Sequence, residues 1–396
     1  MGWRRISRGR GPGAGRLAVT ADLRYTRMAK VAVVLAQLRR PPQELWDRVV
    51  FAMEDQIMVA CAAGHLLAEA GPGVLDGHAD RLAAFLRHHR SADAYSPSLT
   101  DHVLVALVGL DDRRALPLLT ARVADPARSP LGDAFAPTLA RLPAAELLPA
   151  LLSRLRAAPD GHSMEGALAL LGRWGAPAGA AVPLLAPLLG GSYARGACEV
   201  LGRIGPAGAA TADVLADLAR GRTRPARQGW PDTANPWHGR QSAAWAHWRV
   251  TGDAGLALEV CGSFARAGLG GPVLRYLGDL GPAAAAHVDD VRALLDAPGA
   301  WTRVEAAGAF WRITGDPEPA VAVLLRELAP LRDARLTEPA GAAVRHLGAI
   351  GAPAAAAVPL LRDALADDRR AHERILFDER LCRSLETALD SIDGNI

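Results

Sequence analysis

ALALLGRWGAPAGAAVPLLAPLL (167–189) and ACEVLGRIGPAGAATADVLADLA (197–219) are two copies of one phrase, set 30 residues apart. Each copy reads as a short apolar helix, a Gly/Pro turn and a second apolar helix. A fixed period of this size is the signature of stacked supersecondary units, each too small to bury its own apolar face.

Working outward, the units align on the last apolar residue of each first helix. This anchor is Ala70, Leu110, Leu142, Trp174, Ile204, Val250, Leu280, Ile313, Ile350 and Ile392 in turn, at spacings from 30 to 46 residues, the longer ones being loop insertions. Before Ile204, apolar Ala197, Val200 and Leu201 lie on one helical face. Gly follows the anchor as Gly175, Gly205, Gly281 and Gly351, where a left-handed C-cap is wanted. Pro177, Pro206, Pro282 and Pro353 then stop the first helix, and Pro183 and Pro359 fall near the start of the second. Two units carry another turn, VTGDAG (250–255) and ITGDPEP (313–319), whose Asp253 and Asp316 are expected to cap the next helix.

LGRIGPAGAA, LGAIGAPAAAAVPLL and FWRITGDPEPAVAVLL resemble bacterial HEAT repeats of the phycobilisome-lyase-like (E–Z) type. The resemblance covers residues 100–366 well and the flanks weakly. It implies an all-α, right-handed solenoid of helix pairs with the second helices lining the concave side. It also implies a function somewhere between chromophore lyase and partner-binding scaffold. Arg240 and Arg303, ten residues before their anchors, stand where such units often hold an Arg in a hydrogen-bonded ladder.

The totals agree with a helical array. Half the residues are hydrophobic but only 5% are aromatic, so the core is mostly Ala, Leu and Val. Lys30 is the one lysine, and the Arg, Ala, Gly and Pro load reads as GC-rich bacterial coding. Residues 1–40 carry +9 and the remainder −6, so the basic total belongs to the tail and the body does not suit nucleic acid. The tail, GWRRISRGRGPGAGR, has no helical period; residues 1–27 are expected to be disordered, and Met28 is an alternative start. The organisation expected is thus a basic tail (1–27), an N-terminal helical cap and first repeat (28–99), and a repeat array (100–396) with a loop insertion at 222–240. Cys61, Cys198, Cys261 and Cys382 lie apart with no CxxC and read as core residues of a reducing compartment. No apolar run reaches the ~18 residues of a membrane span, and Arg4–Arg5 has no apolar signal region after it, so a cytoplasmic location is expected.

Three features compete for function. Asp213, Glu259 and Asp289 all sit nine residues past their anchors, with Asp217 and Asp290 beside them. They read either as dipole-complementing residues of the first helical turn or as an acidic groove for a basic segment. The 222–240 insertion holds Arg224, Arg227, Trp230 and Trp237, a pattern that suits a binding loop or local packing. Trp248 and Trp311 stand two before their anchors, where Gly172, Gly202, Gly278 and Gly348 stand in other units. Gly there lets helices approach; Trp either packs between units or offers a stacking surface of the kind used by HEAT-type alkylpurine DNA glycosylases. No HExxH, P-loop or GxSxG motif is present; His88 and His89 point apart on a helix, and GRGPGAG (9–15) lacks a preceding strand. The reading is a non-catalytic scaffold that binds a protein or peptide on its concave face without cofactor or metal. The alternative is a lyase-like or glycosylase-like enzyme, and the tail is the one part suited to nucleic acid.

Overall fold

The structure is a computed structural model and describes residues 12–71, 73–88, 97–125, 135–157, 164–223 and 239–394. Among these the protein is helical throughout, with one isolated antiparallel bridge, Leu38–Arg369, and no strand. Among the described residues no helix is long and apolar enough to cross a membrane. The chain divides into two compact units, residues 1–115 with 368–379, and residues 116–367 with 380–396.

The first unit contains α1 (Pro12–Gln37), α2 (Gln43–Ala52), α3 (Ile57–Glu69), α4 (Ala79–His88) and α5 (Pro97–Gly109). α1 begins at Pro12, so residues 12–27 of the tail read as disordered form helix here, while residues 1–11 lie outside the described residues. Ala, Leu and Arg are good helix formers, and they continue the Met28 helix upstream. Trp46, Val49, Met53, Leu67, Leu82 and Leu104 form the core. α3 lies close to α5 because Gly64 leaves room for the Leu99 side chain.

Residues 368–379 return to this unit. Arg39 N–H donates to the Asp368 carbonyl and Arg370 N–H to the Gln37 carbonyl, both at 2.8 Å. The Asp378 carboxylate is fully buried. It accepts from the Arg39 guanidinium at 2.8 Å, from the Arg370 guanidinium at 3.1 Å and from the Ala371 N–H at 2.8 Å. Arg370 also donates to the Leu35 carbonyl at 2.7 Å and to Glu379 at 2.8 Å, and Arg374 pairs with buried Glu69 at 2.6 Å. Buried charges need this degree of mutual satisfaction, since desolvating each costs several kcal/mol. Nothing periodic in the sequence points to this return.

The second unit runs through α6 (Leu116–Ala124), α7 (Ala136–Leu139), α8 (Ala144–Ala157), α9 (Met164–Trp174), α10 (Val182–Leu185), α11 (Ala194–Ile204), α12 (Ala212–Arg220), α13 (Arg240–Thr251), α14 (Gly255–Arg266), α15 (Gly271–Leu280), α16 (Val288–Ala293), α17 (Ala300–Thr314), α18 (Glu318–Glu327), α19 (Glu338–Ile350) and α20 (Val358–Ala366). A last helix, α21 (Ile375–Asp393), gives its residues from Arg380 onward to this unit. Each first helix packs on the next, α9 on α11, α11 on α13, α13 on α15, α15 on α17 and α17 on α19. Second helices do likewise, α12 on α14 and α14 on α16.

The anchors fall within one residue of the ends of α9, α11, α13, α15, α17, α19 and α21. Leu142 instead lies past the four-residue α7. The glycine two before the anchor is the contact point. A Cβ on Gly202 would enter the Trp245 ring, one on Gly278 would come within 3.1 Å of the Ala309 Cα, and one on Gly348 within 2.9 Å of the Ala388 Cα.

The cap glycines have positive φ, as expected, but differ in ψ. Gly175, Gly205, Gly281 and Gly351 have φ 56 to 75° with ψ −127 to −142°, outside the left-handed helical well. This lets the chain turn directly into the Pro-containing 3-10 turns at 176–181, 205–211, 281–287 and 352–357. Gly252 and Gly315, in the TGD units, have ψ of −8° and −2° and are ordinary left-handed caps.

Candidate functional site

The second helices carry the acidic row. Asp213 on α12 and Asp289 on α16 are exposed in the first turn of their helices, as the spacing required. Glu259 is exposed too but lies in the second turn of α14, which corrects the expectation. The TGD turn has no 3-10 segment, so α14 starts at Gly255, and the same offset from the anchor reaches one turn deeper. Asp213, Glu259 and Asp289 make no ion pair or side-chain hydrogen bond among the described residues. Their neighbours are engaged: Asp217 pairs with Arg222 at 3.2 Å, and Asp290 lies 3.8 Å from His287 and 3.9 Å from Arg266. α12 packs on α14 and α14 on α16, so the acids occupy adjoining helices. Arg224, Arg227, Trp230 and Trp237 of the insertion lie outside the described residues.

A groove of about 530 Å³ opens farther along the second-helix side, between α18 and α20. Leu325, Leu331, Leu360 and Ala364 line it, with Arg332, Asp363 and Asp367 at its polar edge.

The TGD turns act as capping devices. Thr251 Oγ1 donates to the His247 carbonyl and accepts from the Asp253 N–H, while Asp253 accepts from the Gly255 N–H at 2.9 Å. Thr314, Asp316 and Glu318 repeat this set. Arg240 donates to the Ala219 carbonyl at 2.8 Å, and Arg303 donates to the Ala297 and Pro298 carbonyls and to Glu327. Both therefore reach carbonyls at the end of the preceding second segment, and Arg303 also ties down Glu327 of the following α18. Trp248 and Trp311 are half-buried, with the Arg249 guanidinium 5.5 Å from the Trp248 ring centre.

Sequence reasoning missed a polar belt along the first helices. Tyr276, buried on α15, donates its hydroxyl to Glu199 on α11, and Arg275 reaches the same carboxylate at 2.6 Å. Small Ser242, Ala243 and Ala246 on the intervening α13 are all buried. Burial and the Glu199 charge raise the Tyr276 pKa, so the hydroxyl stays a donor. Asp279 accepts from Trp245 Nε1 at 3.1 Å and from Arg312 at 3.0 Å; burial still lifts its pKa above the usual carboxylate value. Burial would also raise Glu305, but His346, 3.8 Å away, brings it below the ordinary value. The signal was present in the sequence. Glu199, Trp245 and Arg275 all stand five residues before their anchors, the kind of offset that exposed the glycines.

The two rows differ in charge. The first helices from α9 to α19 hold nine Arg against five acids, while the second segments that follow them hold ten acids against six Arg. Cys198 and Cys261 are buried, and burial pushes the Cys261 thiol up to about 12, which suits packing rather than reactivity. Among the described residues no group of His, Cys, Asp and Glu could hold a metal ion. No family model and no curated protein matches this chain, so the likeness of its turn phrases to HEAT repeats rests on those residues alone.

Proposed function

We propose that the chain is a HEAT-like right-handed α-solenoid acting as a non-catalytic scaffold, which holds a basic protein segment along its second helices. Asp213, Glu259 and Asp289 carry this reading: exposed, without partners among the described residues, and set on three second helices that pack in succession. Stacked helix pairs offer long surfaces to extended partners. In a HEAT-like stack the second helices line the concave side, where the groove between α18 and α20 would extend the row. The body's charge of −6 outside residues 1–40 favours a basic partner, and a cytoplasmic location accords with four free cysteines.

Exposed ion pairs contribute about 0–1 kcal/mol each, so several must act together. The test compares wild type with the triple variant Asp213→Asn, Glu259→Gln, Asp289→Asn. The probe is a peptide of residues 1–27, the most basic stretch of the chain, at two salt concentrations. Wild type should bind more tightly at low salt and lose the advantage as the Debye length falls from about 10 Å toward about 3 Å. Equal affinities at low salt would leave the three acids as helix-stabilising residues only.

A further inference from the structure

The residue immediately before the anchor is Arg141, Arg173, Arg203 and Arg249 in four consecutive units, and all four are exposed. Arg203 NH1 donates to the Gly172 carbonyl at 3.4 Å, and Arg249 Nε to the Gly202 carbonyl at 3.2 Å. Each of these guanidiniums thus lies over the preceding first helix, at the glycine where no side chain stands in the way. One N–H of each is held by a carbonyl, and both side chains stay exposed to solvent. Arg173 and Arg203 have no carboxylate partner among the described residues, and Arg249 makes no ion pair but feels the Asp279 carboxylate. Arg173 and Arg203 are close enough for their like charges to depress the Arg173 pKa, after burial as the larger cause. The row ends at Asp279, which takes the same position in the next unit and is already held by Arg312 and Trp245.

We infer that this arginine row is a second docking surface, built for an extended acidic segment of a partner protein. A guanidinium fixed through one N–H loses little freedom when a carboxylate takes the others, and its planar fork matches a carboxylate. Packed helices lie about 8–10 Å apart. A chain in the extended polyproline II form advances about 3.1 Å per residue with three residues per turn, so every third side chain of the partner returns to one face and would meet one arginine. Nucleic acid fits less well. Its phosphates form an unbroken line of negative charge, whereas Glu199 and Asp279 stand among and beyond the arginines on the same helices.

The test is fluorescence anisotropy on the full chain with a short peptide bearing Glu at every third position, the same peptide with Gln in place of Glu, and a duplex DNA of equal length. Wild type should bind the Glu peptide over both other probes. The triple variant Arg173→Gln, Arg203→Gln, Arg249→Gln should lose about tenfold at low salt; Gln keeps a donor for the glycine carbonyl. Arg173→Gln alone removes no hydrogen bond among the described residues, so it should fold as wild type does and lose about two- to threefold. The neutralised Asp213/Glu259/Asp289 variant should bind the Glu peptide at least as well as wild type, which separates this surface from the acidic row. Unchanged affinity in the arginine variants, or tighter binding of duplex DNA than of the Glu peptide, would overturn the inference.

Discussion

The two units differ in what closes each of them. In the second, close contacts between first helices come from absence: glycines at one repeated position let the next first helix settle onto the backbone, and every such contact is between neighbouring helix pairs. In the first, Gly64 does the same between α3 and α5, but the segment that returns late in the chain is held by charge: a buried carboxylate, Asp378, bound by Arg39 and Arg370 from segments more than three hundred residues apart in sequence. A repeated contact tolerates the loss of one copy, because each helix pair has two neighbours. A single buried ion cluster has no such redundancy, since removing one partner strands the others in low dielectric.

The sharpest way to break this comparison is Asp378→Ala. The change removes the carboxylate that the Arg39 and Arg370 side chains, 8% and 1% exposed, share, and leaves Glu379 beside Arg370. It should cost about 3–5 kcal/mol. Hydrogen exchange read peptide by peptide should place the loss in residues 28–115 and 368–379; protection lost evenly across the chain would refute the contrast. Next is Gly202→Ala. In a helix interior this exchange normally gains about 0.5–1 kcal/mol, but the new methyl would enter the Trp245 ring. A loss of about 1–3 kcal/mol is expected, and a raised denaturation midpoint would show that the helices can move apart freely.

A smaller effect separates the two turn types. Gly205, at φ 75° and ψ −139°, stands where a side chain is strained. Gly205→Val should cost more than about 1 kcal/mol. Gly252→Asn, at φ 81° and ψ −8°, should cost only a few tenths, because Asn enters the left-handed well readily. Similar midpoints for the two would merge the turn types.

The last effect appears only as pH falls. Burial, with His65 nearby and Glu69 partly opposing, holds the His102 imidazole at about 4 against 6.5 when free. The unfolded chain therefore takes up the proton first as pH falls. The contribution of neutral His102 to stability is full above 6.5 and is lost between 6.5 and 4. His102→Gln should flatten that part of the pH profile for the first unit and leave the share of His247, lowered in the same direction by burial, in the second. An unchanged slope in the first unit would exclude this titration.

What was legible in the sequence was whatever the repeat enforces locally. Gly175, Gly205, Gly281 and Gly351 gave the helix ends and the sign of φ, because few other residues suit those turns. Their ψ was not legible, since it depends on how the following 3-10 turn leaves the helix. Glu259 was misplaced by one turn because one offset from the anchor was applied across two turn types, and the TGD turn has no 3-10 segment. Arg173 and Arg203 were in plain view inside LGRWG and LGRIG. The hold of Arg203 on the Gly172 carbonyl depends on how the next first helix packs, which the phrase itself does not carry. Asp378 carried no signal at all. A buried ion cluster is specified by three-dimensional proximity, and neither Arg39 nor Arg370 is spaced from it in any periodic way.

The return of residues 368–379 has a consequence during synthesis. The helices between Met28 and Ala115 leave the ribosome early, yet the segment that neutralises Arg39 and covers Glu69 is made about 260 residues later. At roughly 5–20 residues per second that interval is on the order of tens of seconds. During it the helix pairs of the second unit are made while Arg39 and Glu69 of the first still lack these partners. A circular permutation that starts the chain at residue 368 would make this segment first, together with the rest of α21, without changing a side chain.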